Sequence, residues 1–264
     1  MSAASLEFSQ HLRREWRFAP RRGPLIMMLV GVLCVVFNHL VLPLFPERAI
    51  AFMRVGFRLD DLAGVLALND LMGVYFPTFF VGLAGSLGVV LLAREEHRLE
   101  LLLAKPVRTA DLVAARAVPV LAWTAGVGAV TSAAMAVAMA AHAGIGTSVS
   151  ALGALGGGLF LTALTVVLLA ALQVAFVRIS DPFTGLLVAC GAWFGTMMPT
   201  AVLLYRPDAF VGRPAALHGL AMPSLLWHEG TLGWLGPLSL LLALPLAVAL
   251  ARAAGARLER SDAL

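Results

Sequence analysis

The chain has 264 residues, of which 60% are hydrophobic and only 13% are charged, and its formal net charge is +4. Soluble domains carry about 25% charged residues, so this composition excludes an ordinary soluble protein and indicates one embedded in a lipid bilayer. The two cysteines, Cys34 and Cys190, each lie in an apolar run. The sequence therefore predicts neither a disulfide framework nor a cysteine metal site.

The first predicted element is an amphipathic helix that precedes every apolar run. In "SLEFSQHLRREWRFAPRRG", large apolar residues recur four positions apart with arginines between them. This spacing predicts a helix lying in the membrane interface, with its aromatic side toward the membrane and its arginines toward lipid phosphates. The alternative is a disordered basic tail, and Pro20 and Gly23 end any helix in either case. The residues of the predicted helix are Phe8, Leu12, Arg13, Trp16 and Arg17.

Six apolar runs follow, and each is long enough to cross the hydrocarbon core of a bilayer as a helix, which takes about 20 residues. The first run follows an arginine-rich tail, as in a signal peptide, but no small-residue cleavage pattern follows it, so we expect it to be retained. The predicted fold is an all-α integral membrane protein with a single transmembrane domain over residues 1–264. The six runs cover residues 24–44, 72–93, 117–141, 151–177, 183–204 and 231–251.

The positions of the basic residues predict the orientation, because Lys and Arg that flank a span resist translocation. Five lie in the tail, five in the loop after the second run, one after the fourth run and three after the sixth, against five on the other side. Both termini are therefore predicted to be cytoplasmic. The positive charge then reflects topology and anionic lipid, and no basic-aromatic surface for nucleic acid is visible.

Two longer segments are predicted on the outer side of the membrane. Residues 46–71 form a mixed stretch that predicts one or two surface helices. Residues 206–229 are apolar but too broken by Pro and Gly to span, which predicts a segment that dips into the outer leaflet. We expect these two segments to form a gate or a docking site.

Ionisable residues inside a span are costly and usually functional, yet the six runs contain no Asp, Glu, Lys or Arg. This argues against a proton-coupled transporter or an ion channel, and His39 lies only near the outer end of its run. Ser86 lacks the spacing of a nucleophile elbow and has no deep histidine partner, which argues against an intramembrane hydrolase. Surface histidines explain His218 and His228, with the adjacent Glu229, more simply than a metal site does. We expect neither catalysis by this chain nor a metal.

The loop between the second and third runs, "LAREEHRLELLLAKPVRTADLVAAR", concentrates charge from Leu92 to Arg116. Its pattern predicts a short amphipathic helix over residues 94–104, which Pro106 ends before Thr109 and Asp111 start the helix of the third run. An anionic lipid surface repels acidic residues, so the glutamates favour a protein partner over a helix that packs on lipid. The predicted contact residues are Glu95, Glu96, Arg98, Leu99, Glu100, Leu103, Pro106 and Arg108.

The segment from Phe76 to Arg116 resembles the permease subunits of ABC-2 type ATP-binding-cassette transporters. In that family a Glu, a Gly-Thr-Leu-Glu segment, leucines, a Pro-Val pair and a basic residue join the second and third spans. The matching positions here are Glu95, Leu99, Glu100, Leu101, Leu102, Leu103, Pro106 and Val107. The departures are His97 and Arg98, which stand where the family has Gly-Thr, and Ala93, which replaces a frequent acidic residue.

The resemblance implies the transmembrane subunit of an ATP-driven transporter in the bacterial inner membrane, whose loop between spans 2 and 3 is a coupling helix contacting an ATPase. It further implies two ATPase copies that face two permease chains, as a homodimer or a heterodimer, in contact with membrane lipid. A P-loop requires a lysine after a glycine-rich turn, and the only lysine here is Lys105 in "LLLAKPV". ATP and Mg are therefore predicted to bind a separate subunit, and no cofactor is expected in this chain.

The cargo and the biological role stay open. With no charge in the apolar runs, a lipid-like, peptide or hydrophobic substrate moved by alternating access is favoured over a bare ion. Some permeases that resemble this chain instead serve maturation of a periplasmic metalloenzyme, as in nitrous oxide reductase assembly, and the outer segments would then dock a periplasmic partner. A third alternative is a secondary carrier that works without any ATPase.

Overall fold

The computed structural model describes residues 3–57, 59–97, 108–142, 144, 146, 149–205 and 235–261. Within these ranges every regular element is helical. The α-helices are α1 (Ala3–Phe18), α2 (Arg22–Val41), α3 (Glu47–Phe57), α4 (Leu62–Val89), α5 (Leu91–Glu95), α6 (Thr109–Ala141), α7 (Ala151–Phe176), α8 (Pro182–Tyr205) and α9 (Leu235–Ser261), and a 3-10 turn at Leu42–Leu44 extends α2.

In this part of the chain, five helices are long and apolar enough to cross a membrane, namely α2, α4 with α5, α6, α7 and α9. They indicate a multi-pass membrane protein. The run predicted over residues 183–204 is helical as α8, but its apolar described portion, Pro182–Thr196, is shorter than the other five. The sixth span therefore stays a prediction.

The largest departure from the predicted spans is at α4, which begins at Leu62 and not at Met72. Asp61 caps the helix, because its side chain accepts a hydrogen bond from the backbone N–H of Gly64 at 3.0 Å. Residues 62–71 were predicted to belong to an outer surface segment, and that interpretation is wrong for them. The predicted surface helix itself is found as α3.

The third predicted span also starts early, at Thr109, as Thr109 and Asp111 had predicted for the helix that leads into it. The residue that precedes it, Arg108, is extended and makes no capping hydrogen bond through its side chain. Helix α6 lies at the centre of the bundle, where it packs against α1, α2, α4, α7 and α9.

Glycines allow the helices to approach α6 closely. A side chain on Gly31 of α2 would overlap Thr131 of α6, and one on Gly82 of α4 would overlap Thr124. Both hydroxyls are fully buried, and each donates to the carbonyl four residues earlier in α6, so packing them leaves no hydrogen-bonding group unsatisfied. Small residues of this kind stabilise helix packing in membranes, where apolar surface alone gives little driving force.

Helices α6 and α7 interlock through a reciprocal pair of such contacts. Gly128 of α6 faces Thr162 of α7, and Gly158 of α7 faces Ser132 of α6. The Ser132 hydroxyl donates to the Gly128 carbonyl at 2.6 Å, and the Thr162 hydroxyl donates to the Gly158 carbonyl at 2.8 Å. Each helix therefore carries one glycine and one hydroxyl residue four positions apart, and each hydroxyl residue fills the space opposite the other helix's glycine.

Side-chain contacts define the two ends of the bundle. At the histidine end, the last turn of α2 meets the start of α4 and the end of α6 through His39, Asp70 and His142. At the arginine-rich end, Asp111 near the start of α6 lies 3.3 Å from Arg252 of α9. Which end faces the cytoplasm stays a prediction from the arginine positions.

Candidate functional site

The candidate site at the arginine-rich end is the charged turn, residues Leu91–His97. Helix α5 continues α4 after a break in the backbone at Val90 and ends at Glu95. His97 then adopts a φ of 54°, in the left-handed region that favours glycine. The prediction of one helix over residues 94–104 is therefore wrong at its beginning, because the chain turns at Glu96 and His97; residues 98–107 lie outside the described part.

The side of the charged turn that faces the bundle is fully buried. Leu91 and Ala93 have no exposed surface. Leu91 packs directly on Gly185 in the first turn of α8, where an added side chain would overlap its Cδ1. The turn therefore contacts α8 as well as α4, from which it continues.

Arg94 ties the charged turn to the end of α7. Its guanidinium donates to the carbonyl of Ile179 at 2.9 Å and to that of Val177 at 3.2 Å. Both carbonyls lie just beyond Phe176, the last residue of α7, next to the end of the helix that carries partial negative charge. A guanidinium is well suited to this position, because it offers several N–H donors in a fixed planar geometry.

The connection between α7 and α8, against which Arg94 lies, is itself ordered by a cap. The backbone N–H of Thr184 donates to the Asp181 carboxylate at 2.8 Å. This hydrogen bond holds the pKa of Asp181 below its ordinary value, since it favours the ionised carboxylate. Arg94 therefore contacts a structured connection.

Two further contacts stabilise this end of the bundle. Arg116 of α6 donates to the carbonyl of Gly88 at 3.1 Å, near the end of α4. The guanidinium carbon of Arg252 lies 4.9 Å from the centre of the Phe8 ring, while the same side chain contacts Asp111. Helix α1 is thus attached to α9 by a cation–π contact.

The structure describes only part of the predicted partner-binding loop. Glu95, Glu96 and Arg108 are exposed, as a contact surface for a partner requires. The remaining predicted contact residues, Arg98, Leu99, Glu100, Leu103 and Pro106, lie outside the described residues. Their role stays a prediction.

The predicted N-terminal helix is present as α1, and part of its apolar side is buried against the rest of the protein. Phe8 is partly buried and packs against the bundle core, and Leu12 is also partly buried. Trp16 is 43% exposed, and Arg13 and Arg17 are exposed. The spacing of the large apolar residues therefore reflects a helix that packs partly on protein, and its contact with lipid stays a prediction.

A buried carboxylate that was not predicted from the sequence lies at the histidine end. Asp70 has no exposed surface. Its carboxylate lies 2.8 Å from Nε2 of His39 and accepts from the amide of Asn38 at 3.1 Å. Nδ1 of His39 is 3.1 Å from Nδ1 of His142. We call Asn38, His39, Asp70 and His142 the buried polar cluster.

The sequence did not reveal this cluster, because the second span was predicted to begin at Met72, which placed Asp70 in the outer segment of residues 46–71. The available signal was Asp61, a good capping residue, followed by "LAGVLALND", which contains neither proline nor a turn pair. Extending the helix back to that cap places Asp70 inside the bundle. The prediction that the spans carry no ionisable side chain is therefore wrong for α4.

The described residues contain no group of three or more His, Cys, Asp or Glu side chains arranged to hold a metal ion. In the buried polar cluster His39 lies between Asp70 and His142, so the potential ligands form a row and do not converge on one point. Comparison of the chain with protein-family models, with curated proteins and with solved structures found no match.

Proposed function

We propose that this chain is the permease subunit of an ABC-2 type ATP-binding-cassette transporter in the bacterial inner membrane, and that the charged turn receives its ATPase. The observation that carries the proposal is the turn itself: exposed carboxylates at Glu95 and Glu96 follow directly on the buried residues Leu91 and Ala93. A partner that pulls on those carboxylates pulls on α4.

The conformation of His97 supports the same proposal. The family that the loop resembles has glycine at this position, and His97 adopts a backbone conformation typical of glycine. Histidine is among the residues that enter this region more often than most. The departure from the family's sequence pattern is therefore compatible with the tight turn that the pattern implies.

The charged turn contacts the residues after α7 and the first turn of α8, so its movement would be passed to both helices. Arg94 joins it to the carbonyls that follow α7, and Leu91 packs on the first turn of α8. Closure of two ATPase subunits on two permease chains would thus shift α4, α7 and α8 together. ATP and Mg bind the partner, and the proposed cargo is lipid-like, peptide or hydrophobic.

A second candidate function, a secondary carrier without an ATPase, is favoured by one observation. The buried carboxylate of Asp70 is the kind of group that ion-coupled carriers use. Transport that continues at a fixed ion gradient when ATP is depleted would favour the carrier.

The proposed function is tested by co-purification with the ATPase encoded nearest to this chain, in mild detergent. The double variant Glu95→Ala with Glu96→Ala is expected to weaken ATPase binding by about tenfold or more, because charged contacts guide and orient such complexes. The matched control is Glu47→Ala, which removes an exposed glutamate of α3 at the histidine end.

Binding that is kept by the native chain and by Glu47→Ala but weakened in the double variant supports the proposal. If the native chain binds no ATPase, the transporter assignment is wrong, and a secondary carrier becomes the favoured function. If the double variant binds as tightly as the native chain, the charged turn is not the contact surface.

A further inference from the structure

The backbone carbonyl of Ala138 determines which nitrogen atoms of the buried polar cluster carry hydrogens. Nδ1 of His142 lies 3.1 Å from the carbonyl oxygen of Ala138, which can only accept. His142 Nδ1 therefore carries a hydrogen, and Nδ1 of His39, which lies 3.1 Å from it, presents a lone pair. The remaining His39 nitrogen, Nε2, then carries the hydrogen that is donated to Asp70. In this arrangement both histidines are neutral and Asp70 is a carboxylate.

This arrangement leaves a negative charge in the bundle without a cation beside it. Asp70 is 0% exposed and His39 is 4% exposed, and Asn38 contributes only a neutral amide. Burying a carboxylate without a positive partner is costly.

The neighbouring elements supply no cation to the cluster in the part of the chain that the structure describes. Helix α3, which packs on α4, carries Glu47, Arg48 and Arg54, and all three side chains are exposed. Asp60 and Asp61 precede α4, and Asp61 is bonded to the backbone of Gly64. The turns of α7 and α9 at this end of the bundle, residues 151–158 and 235–244, contain no titratable side chain.

We propose that His142, His39 and Asp70 form a proton relay, through which water at the histidine end delivers one proton to His39, beside the buried carboxylate of Asp70. His142 is half-buried at the end of α6 and is the most exposed of the three. A hydronium ion gives its proton to Nε2 of His142, and an N–H bond forms there. The hydrogen on Nδ1 of His142 moves to Nδ1 of His39. His39 becomes a cation paired with the Asp70 carboxylate, and His142 is neutral again with its hydrogen on Nε2.

The step adds one proton to the cluster and reverses the hydrogen bond between the two imidazoles. His39 donates to His142 after the step, where it accepted before. His142 then has no hydrogen on Nδ1 to donate to the Ala138 carbonyl, so the end of α6 loses that contact. The net charge of the cluster changes from minus one to zero, and the Asp70 carboxylate gains a positive partner, which lowers the cost of burying it. This relay requires no ATPase and does not depend on the proposed function.

The test uses the full chain in lipid nanodiscs with nitrogen-15 in the histidine rings, observed by NMR across a pH series. In the native chain we expect His39 and His142 to change protonation in one linked step, with a scalar coupling between their two Nδ1 nitrogens through the shared hydrogen. The Asp70→Asn variant keeps a hydrogen-bonding group but loses the charge. It is expected to lose at least about tenfold in the proton affinity of the His39–His142 pair, equivalent to one pH unit.

Two controls separate a relay from a structural contact. His11→Gln, in α1 at the other end of the bundle, removes a histidine without changing the linked step. His142→Gln, at a half-buried position, removes the proton entrance, and His39 should then respond to pH at least about tenfold more slowly, a loss that a purely structural role would not produce. In sealed vesicles, the step should follow the pH on the side of the histidine end only.

The proposal is overturned if His39 and His142 titrate independently in the native chain. It is also overturned if Asp70→Asn leaves their titration unchanged, or if the linked step follows the pH on the side of the arginine-rich end. The measurement on the native chain decides the question even if Asp70→Asn fails to fold.

Discussion

Replacing Gly128 by valine is expected to lower the free energy of unfolding by about 3 kcal/mol, because overpacking a closely packed interior costs about 1–3 kcal/mol and this site has no room to relax. An added Cβ at Gly128 would lie 2.8 Å from the Cβ of Thr162, and its position would also overlap both γ atoms of that side chain. Thr162 cannot turn away freely, since it is fully buried and its hydroxyl is bonded to the Gly158 carbonyl. The measurement is thermal or detergent-induced unfolding of the purified chain.

The matched control lies in the same helix, two positions away. Gly126→Ala meets only the terminal methyl of Met28, at 3.2 Å, which a flexible side chain can withdraw. Its effect on stability is expected to stay within about 0.5 kcal/mol. Combining Gly128→Ala with Thr162→Ala should recover part of the loss caused by Gly128→Ala alone, because the two residues contact each other. If Gly128→Val unfolds like Gly126→Ala, α6 and α7 do not interlock at this point.

The long apolar helices could be predicted from the sequence wherever an apolar run coincides with the whole helix. The fourth run, predicted over residues 151–177, is found as Ala151–Phe176. The start of α6 was also accessible, since Thr109 and Asp111 resemble the first turn of a helix. Hydropathy failed at α4, where Asn69 and Asp70 look like a loop. Asp70 is buried beside His39 of α2, which in turn contacts His142 at the end of α6, and a local window of sequence contains neither histidine.

The same reason limits what the sequence reveals of the charged turn. Its carboxylates and its composition are local features, and they predicted an exposed, charged surface at Glu95 and Glu96. The hydrogen bonds of Arg94 join it to carbonyls 83 and 85 positions away in the chain. Nothing near Arg94 in the sequence distinguishes it from Arg98 or Arg108. Only the packing of α7 beside α4 gives it a specific partner.

Replacing Arg94 by methionine is expected to leave ATPase binding and ATP hydrolysis intact and to lower transport by about tenfold or more. Hydrogen bonds that involve a charged group contribute about 1.5–3 kcal/mol, and Arg94 makes two of them. Methionine keeps an apolar stem of similar length, so packing around Leu91 and Ala93 is preserved. The charged turn could then move without moving the end of α7. Transport and ATP hydrolysis are measured together in vesicles that contain both subunits.

Two further variants serve as comparisons for Arg94→Met. The outcomes also distinguish an error about Arg94 from an error in the proposed function. Arg94→Lys keeps the positive charge but not the planar set of donors, so transport should fall between the native and methionine values. Arg48→Met removes an exposed arginine at the histidine end and should transport normally. If the ATPase does not bind the native chain, the proposed function is wrong. If it binds and Arg94→Met transports like the native chain, the ATPase is present but its motion reaches the bundle by a route other than Arg94.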